Sequence, residues 1–166
     1  MGKANDKARI VIAVTELTPV QQLWREALQR LGDSQAEILA LFFADDRWRR
    51  AASLPFTREI SRVSGMDTDF TLRRASLVHE DAINSARFRM QDLASKADLA
   101  LVFEVLPESD QHRIRELVAG SQNTLIAPSL ITRRPLFAKL QKLDCRIILI
   151  ETKEEADESQ RITSQP

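Results

Sequence analysis

The sequence predicts an α/β protein built on a doubly wound, mainly parallel sheet, and three observations predict it. Short unbroken apolar runs rich in β-branched residues recur along the chain, the pattern of strands covered on both faces. Between them lie stretches whose apolar residues are spaced by threes and fours, long enough for the crossover that parallel neighbours need. At 166 residues and 43% hydrophobic content, the chain has material for one domain with a substantial core and too little for two.

The first strand is expected at Arg9–Val14 (RIVIAV). Thr18 then offers an N-cap, Pro19 suits the first helical position and Gln21 completes a capping box. The helix they open carries Val20, Leu23, Trp24, Ala27, Leu28 and Leu31 before Gly32. Ile38–Phe43 (ILALFF) reads as a second buried strand, closed by Asp45 and Asp46. From Ala44 to Gly65 the apolar residues fit neither period and Pro55 forbids an uninterrupted helix, so short helical turns are expected. From about Asp69 the residues Leu72, Ser76, His79, Ile83, Ala86, Met90, Leu93, Ala94 and Ala97 define a long amphipathic helix. A third strand follows at Leu99–Leu106, and Ser109 caps a helix carrying Ile114, Leu117 and Val118. Thr124–Ala127 is a fourth strand. Leu136, Phe137, Leu140 and Leu143 form the inner face of a last helix, and Arg146–Ile150 (RIILI) is a fifth strand. Residues 152–166 lack apolar periodicity and carry several acidic groups, so a disordered tail is expected there.

Lysine plus arginine and aspartate plus glutamate each number 24, so no global field steers the protein to nucleic acid or an acidic membrane. No apolar run approaches the roughly eighteen residues of a membrane span. The opening MGKANDKAR lacks the apolar core of a secretory signal, so a cytoplasmic protein without a membrane partner is expected. Cys145 is the only cysteine, which excludes an internal disulfide, and its setting in CRIILI points to a buried structural thiol.

Chemistry-bearing patterns are sparse. Asp45 and Asp46 are adjacent on a turn with no histidine or third carboxylate nearby in sequence, which suits a solvated strand end better than a metal pair. His79 lies on the apolar stripe of the long helix and His112 near the start of another, neither with a second ligand at metal spacing. No nucleophile elbow, GxGxxG or GxxxxGK[ST] occurs, so no enzyme activity, cofactor or metal is expected. Arg47, Arg49, Arg50, Arg58 and Arg62 interleave with Trp48 and Phe56, but Asp45, Asp46 and Glu59 offset much of that charge, and a nucleic-acid partner is not expected. Trp48, Leu54, Pro55 and Phe56 are costly to leave in water; they cover the sheet edge or meet a protein partner.

The order of elements, with RIVIAV, ILALFFADD and SLPFTREIS, resembles the universal stress protein family over residues 8–151, with 44–68 as an insertion. It is similar in particular to bacterial members in which an acidic pair ends the second strand and an arginine-rich "LPF-REIS" insertion precedes a long helix. The resemblance implies a three-layer α/β/α, Rossmann-like, adenine-nucleotide-α-hydrolase-like fold. Its five-stranded parallel sheet has the order 3-2-1-4-5, and such domains usually assemble as homodimers. A receiver domain, also a five-unit α/β fold, would carry its acidic pair after the first strand, where this chain has Thr15 and Glu16.

Nucleotide-binding members carry an aspartate at the end of the first strand and G-x2-G-x9-G-S/T after the fourth. A side chain at those glycines would keep backbone amides from closing on the phosphates. Here the first strand ends at Thr15, the fourth is followed by APSLITRRPLFAKL, and no glycine lies beyond Gly120. Pro128 and Pro135 each remove an amide donor. The expectation is a non-catalytic member that has lost ATP binding and acts as a dimeric stress-response or signalling module. The alternative keeps a modified nucleotide or anion pocket lined by Ala13, Thr15, Phe43, Ser129, Thr132 and Arg133. Against it, Thr132 caps the last helix and both Arg133 and Arg134 stay solvated. The fifth strand is expected at an edge, pairing with its symmetry mate through Arg146, Ile148 and Ile150.

Overall fold

The computed structural model describes residues 7–16, 18–44, 58–60, 67–69 and 72–151. Their elements are β1 (Arg9–Val14), α1 (Val20–Leu31), β2 (Glu37–Ala44), β3 (Arg58–Ile60), β4 (Asp67–Asp69), α2 (Leu72–Lys96), β5 (Leu101–Pro107), α3 (Gln111–Val118), β6 (Thr124–Pro128), a 3-10 turn (Ser129–Arg133), α4 (Pro135–Leu140) and β7 (Arg146–Ile150). β5, β2, β1, β6 and β7 lie side by side in that order, all parallel. Counting only these five strands along the chain, the order is 3-2-1-4-5, as expected.

Period-2 alternation splits the central strands between two cores. Ile10, Ile12, Val14, Ile38, Ala40 and Phe42 point to the face covered by α1 and α2, where Leu23, Trp24 and Met90 meet them. Val11, Ala13, Leu39, Leu41 and Phe43 point to the other face and pack on Ile114, Leu117, Val118, Leu136 and Leu140 of α3 and α4. Helices on both faces of a parallel sheet make the three-layer α/β/α architecture.

Several local expectations are corrected. Thr18 does not cap α1: the residue before the helix is Pro19, with no side-chain cap bond. The Thr18 hydroxyl instead accepts the Thr15 N–H at 2.6 Å, because the tight turn after β1 leaves that donor without a strand partner. The cap of α3 is Asp110 rather than Ser109, its carboxylate accepting the Arg113 N–H at 3.2 Å. Within the insertion, Arg58–Ile60 pairs antiparallel with Asp67–Asp69, a hairpin where short helical turns were expected. Asp69 therefore belongs to β4, and α2 begins at Leu72. Leu143 lies beyond the end of α4 but still packs on the second core. Asp45, Asp46, Arg47, Trp48, Arg49, Arg50, Leu54, Pro55, Phe56, Arg62 and the tail fall outside the described residues.

One side chain ties the amino edge of the sheet together. Asn123, buried at the start of β6, accepts the Arg9 N–H at 3.0 Å and donates to the carbonyls of Val118 and Ala119 at 3.2 and 3.1 Å. Gly120 must be glycine here, since a Cβ would stand 2.6 Å from Asn123 Nδ2.

Candidate functional site at the carboxyl edge of the sheet

In an open parallel sheet the strands' carboxyl ends share one edge, and ligands bind where the strand order reverses. That point lies between β1 and β6. The loops meeting there are Thr15 to Pro19 after β1, the end of β2, Glu108 to Asp110 after β5, and Ser129 to Arg134 after β6.

The candidate lining residues do not form one surface. Ala13 and Phe43 sit within the second core at 0% and 1% exposure, so neither presents atoms to a ligand. Thr15 is half-buried and engaged three times with Thr18: its N–H donates to the Thr18 hydroxyl, its carbonyl accepts the Thr18 N–H at 3.2 Å, and the two hydroxyl oxygens lie 2.8 Å apart. Ser129 is half-buried, while Thr132 and Arg133 are exposed. The Thr132 hydroxyl donates back to the Ser129 carbonyl at 2.8 Å instead of capping α4, which Arg134 precedes and Pro135 opens. A 3-10 turn spends its donors internally: Arg134 N–H goes to the Ile131 carbonyl at 3.0 Å. Ile131 and Leu136 anchor this turn in the second core.

Arg134 is not solvated. Its Nε lies 3.1 Å from Glu108 Oε1, and the two side chains keep only 18% and 21% of their exposure. Glu108 follows β5 and Arg134 follows β6, three positions apart in the sheet, so this ion pair runs across the carboxyl ends of β2 and β1. Glu108 is seated there by its own backbone, whose N–H donates to the Ala44 carbonyl at 3.2 Å. Its carbonyl accepts Gln111 Nε2 at 2.7 Å. Sequence reading missed the pair because nothing local links residues that only the fold brings together.

On the far side of β1, His79 Nδ1 of α2 lies 3.2 Å from Glu16 Oε1, and the imidazole meets the Phe42 ring edge-on with centroids 6.0 Å apart. The histidine thus packs, as its place on the apolar stripe implied, and also holds the loop after β1. Among the described residues no group of three or more histidine, cysteine or acidic side chains could hold a metal ion. Cys145 is half-buried, and burial, followed by the nearby Asp144, pushes its thiol pKa up, away from nucleophilic use. An open depression of about 450 Å³ lies at the opposite end of β5, lined by Gln91, Ala94, Ser95, Asp98 and Leu99 to Leu101. No described helix is long and apolar enough to cross a membrane.

A universal stress protein structure, UspA from Lactobacillus plantarum, superposes with a TM-score of 0.53 at 17% identity, covering 88% of this chain and 99% of that one. This chain has the universal stress protein fold. A second structure of that family, from Burkholderia pseudomallei, aligns over 88% of this chain and 97% of its own at 12% identity and a TM-score of 0.47. No family model and no curated protein matches the chain in sequence. In the arrangement found here, the carboxyl edge of the sheet is spanned by Glu108 and Arg134.

Proposed function

We propose that this chain is a member of the universal stress protein family that does not bind ATP, performs no catalysis and works in the cytoplasm as a homodimeric stress-response or signalling module. The observation that carries the reading is the carboxyl edge. A phosphate cradle needs unpaired amides and small residues that let backbone close on the oxygens. The turn after β6 offers Pro128 and Pro135, internal 3-10 bonds and an arginine already paired with Glu108. Titration calorimetry with ATP and with AMP tests it: no heat is expected at millimolar nucleotide, and micromolar affinity would sink the reading.

Dimerisation belongs to the same proposal. β7 is an edge strand of apolar composition, and pairing with a second copy through Arg146, Ile148 and Ile150 would bury it. The second reading, a modified anion site using Ser129, Thr132 and Arg133, is favoured by one observation: two exposed polar side chains, Thr132 and Arg133, stand on the turn at the switch point. Phosphate that raises the melting temperature of the protein, with the effect lost in Arg133→Ala, would support it.

A further inference from the structure

Among the described residues four large apolar side chains stand well exposed, and two of them share one helix: Leu77 and Phe88 of α2, at 53% and 74% exposure. Eleven residues carry a helix through about three turns, so the two project from the same side. The core side of α2 is occupied by Ala86, Met90 and Ala94, and the exposed stripe lies opposite them. Between its ends stand Asp81 and Asn84, both exposed. The stripe Leu77, Asp81, Asn84, Phe88 is spaced by four, three and four residues, so it reads the same from either end.

We propose that this stripe is a weak self-association surface on which α2 of a second copy lies antiparallel, about a two-fold axis passing between Ala82 and Ile83. The palindromic spacing then sets Leu77 against Phe88 of the second copy, and Phe88 against its Leu77, while Asp81 faces Asn84. Asn84 Oδ1 already accepts Arg87 Nη1 at 3.3 Å, which leaves the amide nitrogen as the donor for that carboxylate. The flanks are complementary as well. Glu80 and Arg87, seven residues apart, lie along one flank of the stripe, and a two-fold keeps that flank on its own side, so each Glu80 meets Arg87 of the other copy. Arg87 is held in place for it, its guanidinium lying over the Phe103 ring at 5.2 Å from the centroid. Four apolar side chains make a small interface and the two Asp81 carboxylates approach the axis, so pairing is expected at concentrations on the order of hundreds of micromolar. α2 leads into β5, at the opposite edge of the sheet from β7, so this surface is independent of the proposed edge pairing.

Sedimentation equilibrium of the full chain, from about 20 μM to about 1 mM, tests the pairing. The wild-type mass is expected to climb toward twice its low-concentration value. Phe88→Ser and Leu77→Ser alter exposed side chains and leave the core intact; each should weaken the association at least roughly tenfold. Glu80→Arg sets like charges against Arg87 and should weaken it similarly, whereas adding Arg87→Glu to that variant returns opposite charges and should restore the wild-type curve. Circular dichroism checks that every variant keeps its helices. A wild-type mass that does not rise with concentration would overturn the proposal. So would a Phe88→Ser curve that matches wild type, or a charge-swapped double variant that associates no better than Glu80→Arg alone. The low-concentration mass reports the β7 pairing by itself: a monomer there removes the edge dimer and leaves the α2 pairing to be read as a monomer–dimer step, so the two failures are separable.

Discussion

The two edges of the sheet are finished in different ways. β5 turns Leu101, Phe103 and Val105 to the first core, and its other face carries Val102 and Glu104. Glu104 is gripped by Arg113 of α3 through two bonds of 2.8 and 3.1 Å, and Arg87 of α2 lies over the Phe103 ring at 5.2 Å from its centroid. The hydrogen bonds Arg113 donates to Glu104, and then to Glu116, push its pKa up. Among the described residues β7 has no such furniture: Ile148 and Ile150 lean on the first core, Ile147 on the second, Leu149 is exposed, and Arg146 is its only charge. A strand adding to β5 would have to strip water from a fixed carboxylate, whereas one adding to β7 meets aliphatic side chains. Under the proposed homodimer, this contrast makes β5 the guarded edge and β7 the edge a second copy would use.

The largest effect that would break this contrast is expected from Ile148→Asp. It places a charge in the half-buried face of β7, and light scattering at tens of micromolar should show a monomer mass or an unfolded chain, while Val102→Asp on β5 leaves the mass unchanged. A dimer surviving Ile148→Asp would remove β7 from the interface. Next comes Gly120→Ala. The new methyl collides with Asn123, and the Gly120 N–H bond to the Asp144 carbonyl, 2.7 Å and just ahead of β7, is disturbed with it. The expected cost is about 2 kcal/mol, seen as a fall in Tm of about 6 °C. Glu104→Ala should change Tm little, since the pair is partly exposed and screened by salt. It should instead unguard β5, giving species larger than the wild-type assembly at high concentration; an unchanged mass would mean that the carboxylate guards nothing.

The smallest effect concerns Cys145, immediately before β7. Its folded pKa is raised, so the unfolded chain loses the thiol proton first as pH climbs. The thiol's contribution to stability is therefore whole below the ordinary cysteine range and is lost as pH rises through the raised folded value. Denaturant titrations should show Cys145→Ala with a flatter alkaline limb than wild type, and parallel limbs would contradict the assignment.

The sheet was legible in the sequence because buried parallel strands announce themselves as continuous apolar runs, and RIVIAV, ILALFF and RIILI have no competing reading. Helix ends were harder. Thr18 and Ser109 are good capping residues, but a turn's own unpaired donors, Thr15 N–H above all, can claim such a hydroxyl first. The hairpin of Arg58–Ile60 with Asp67–Asp69 left no signal because three-residue strands are shorter than the alternation that would reveal them. At the candidate site, the missing glycines and the two prolines were readable, whereas the span from Glu108 to Arg134 was not. Its partners lie on loops that become neighbours only after four strands have assembled.

β1 lies at the centre of the sheet, yet it is made early and its neighbour β6 comes far later, the Arg9–Asn123 bond closing a separation of 114 residues. During synthesis the middle of this molecule must therefore wait, with one apolar flank open, until most of the chain has left the ribosome. That delay makes the nascent polypeptide, more than the finished domain, the form that a chaperone would need to shield.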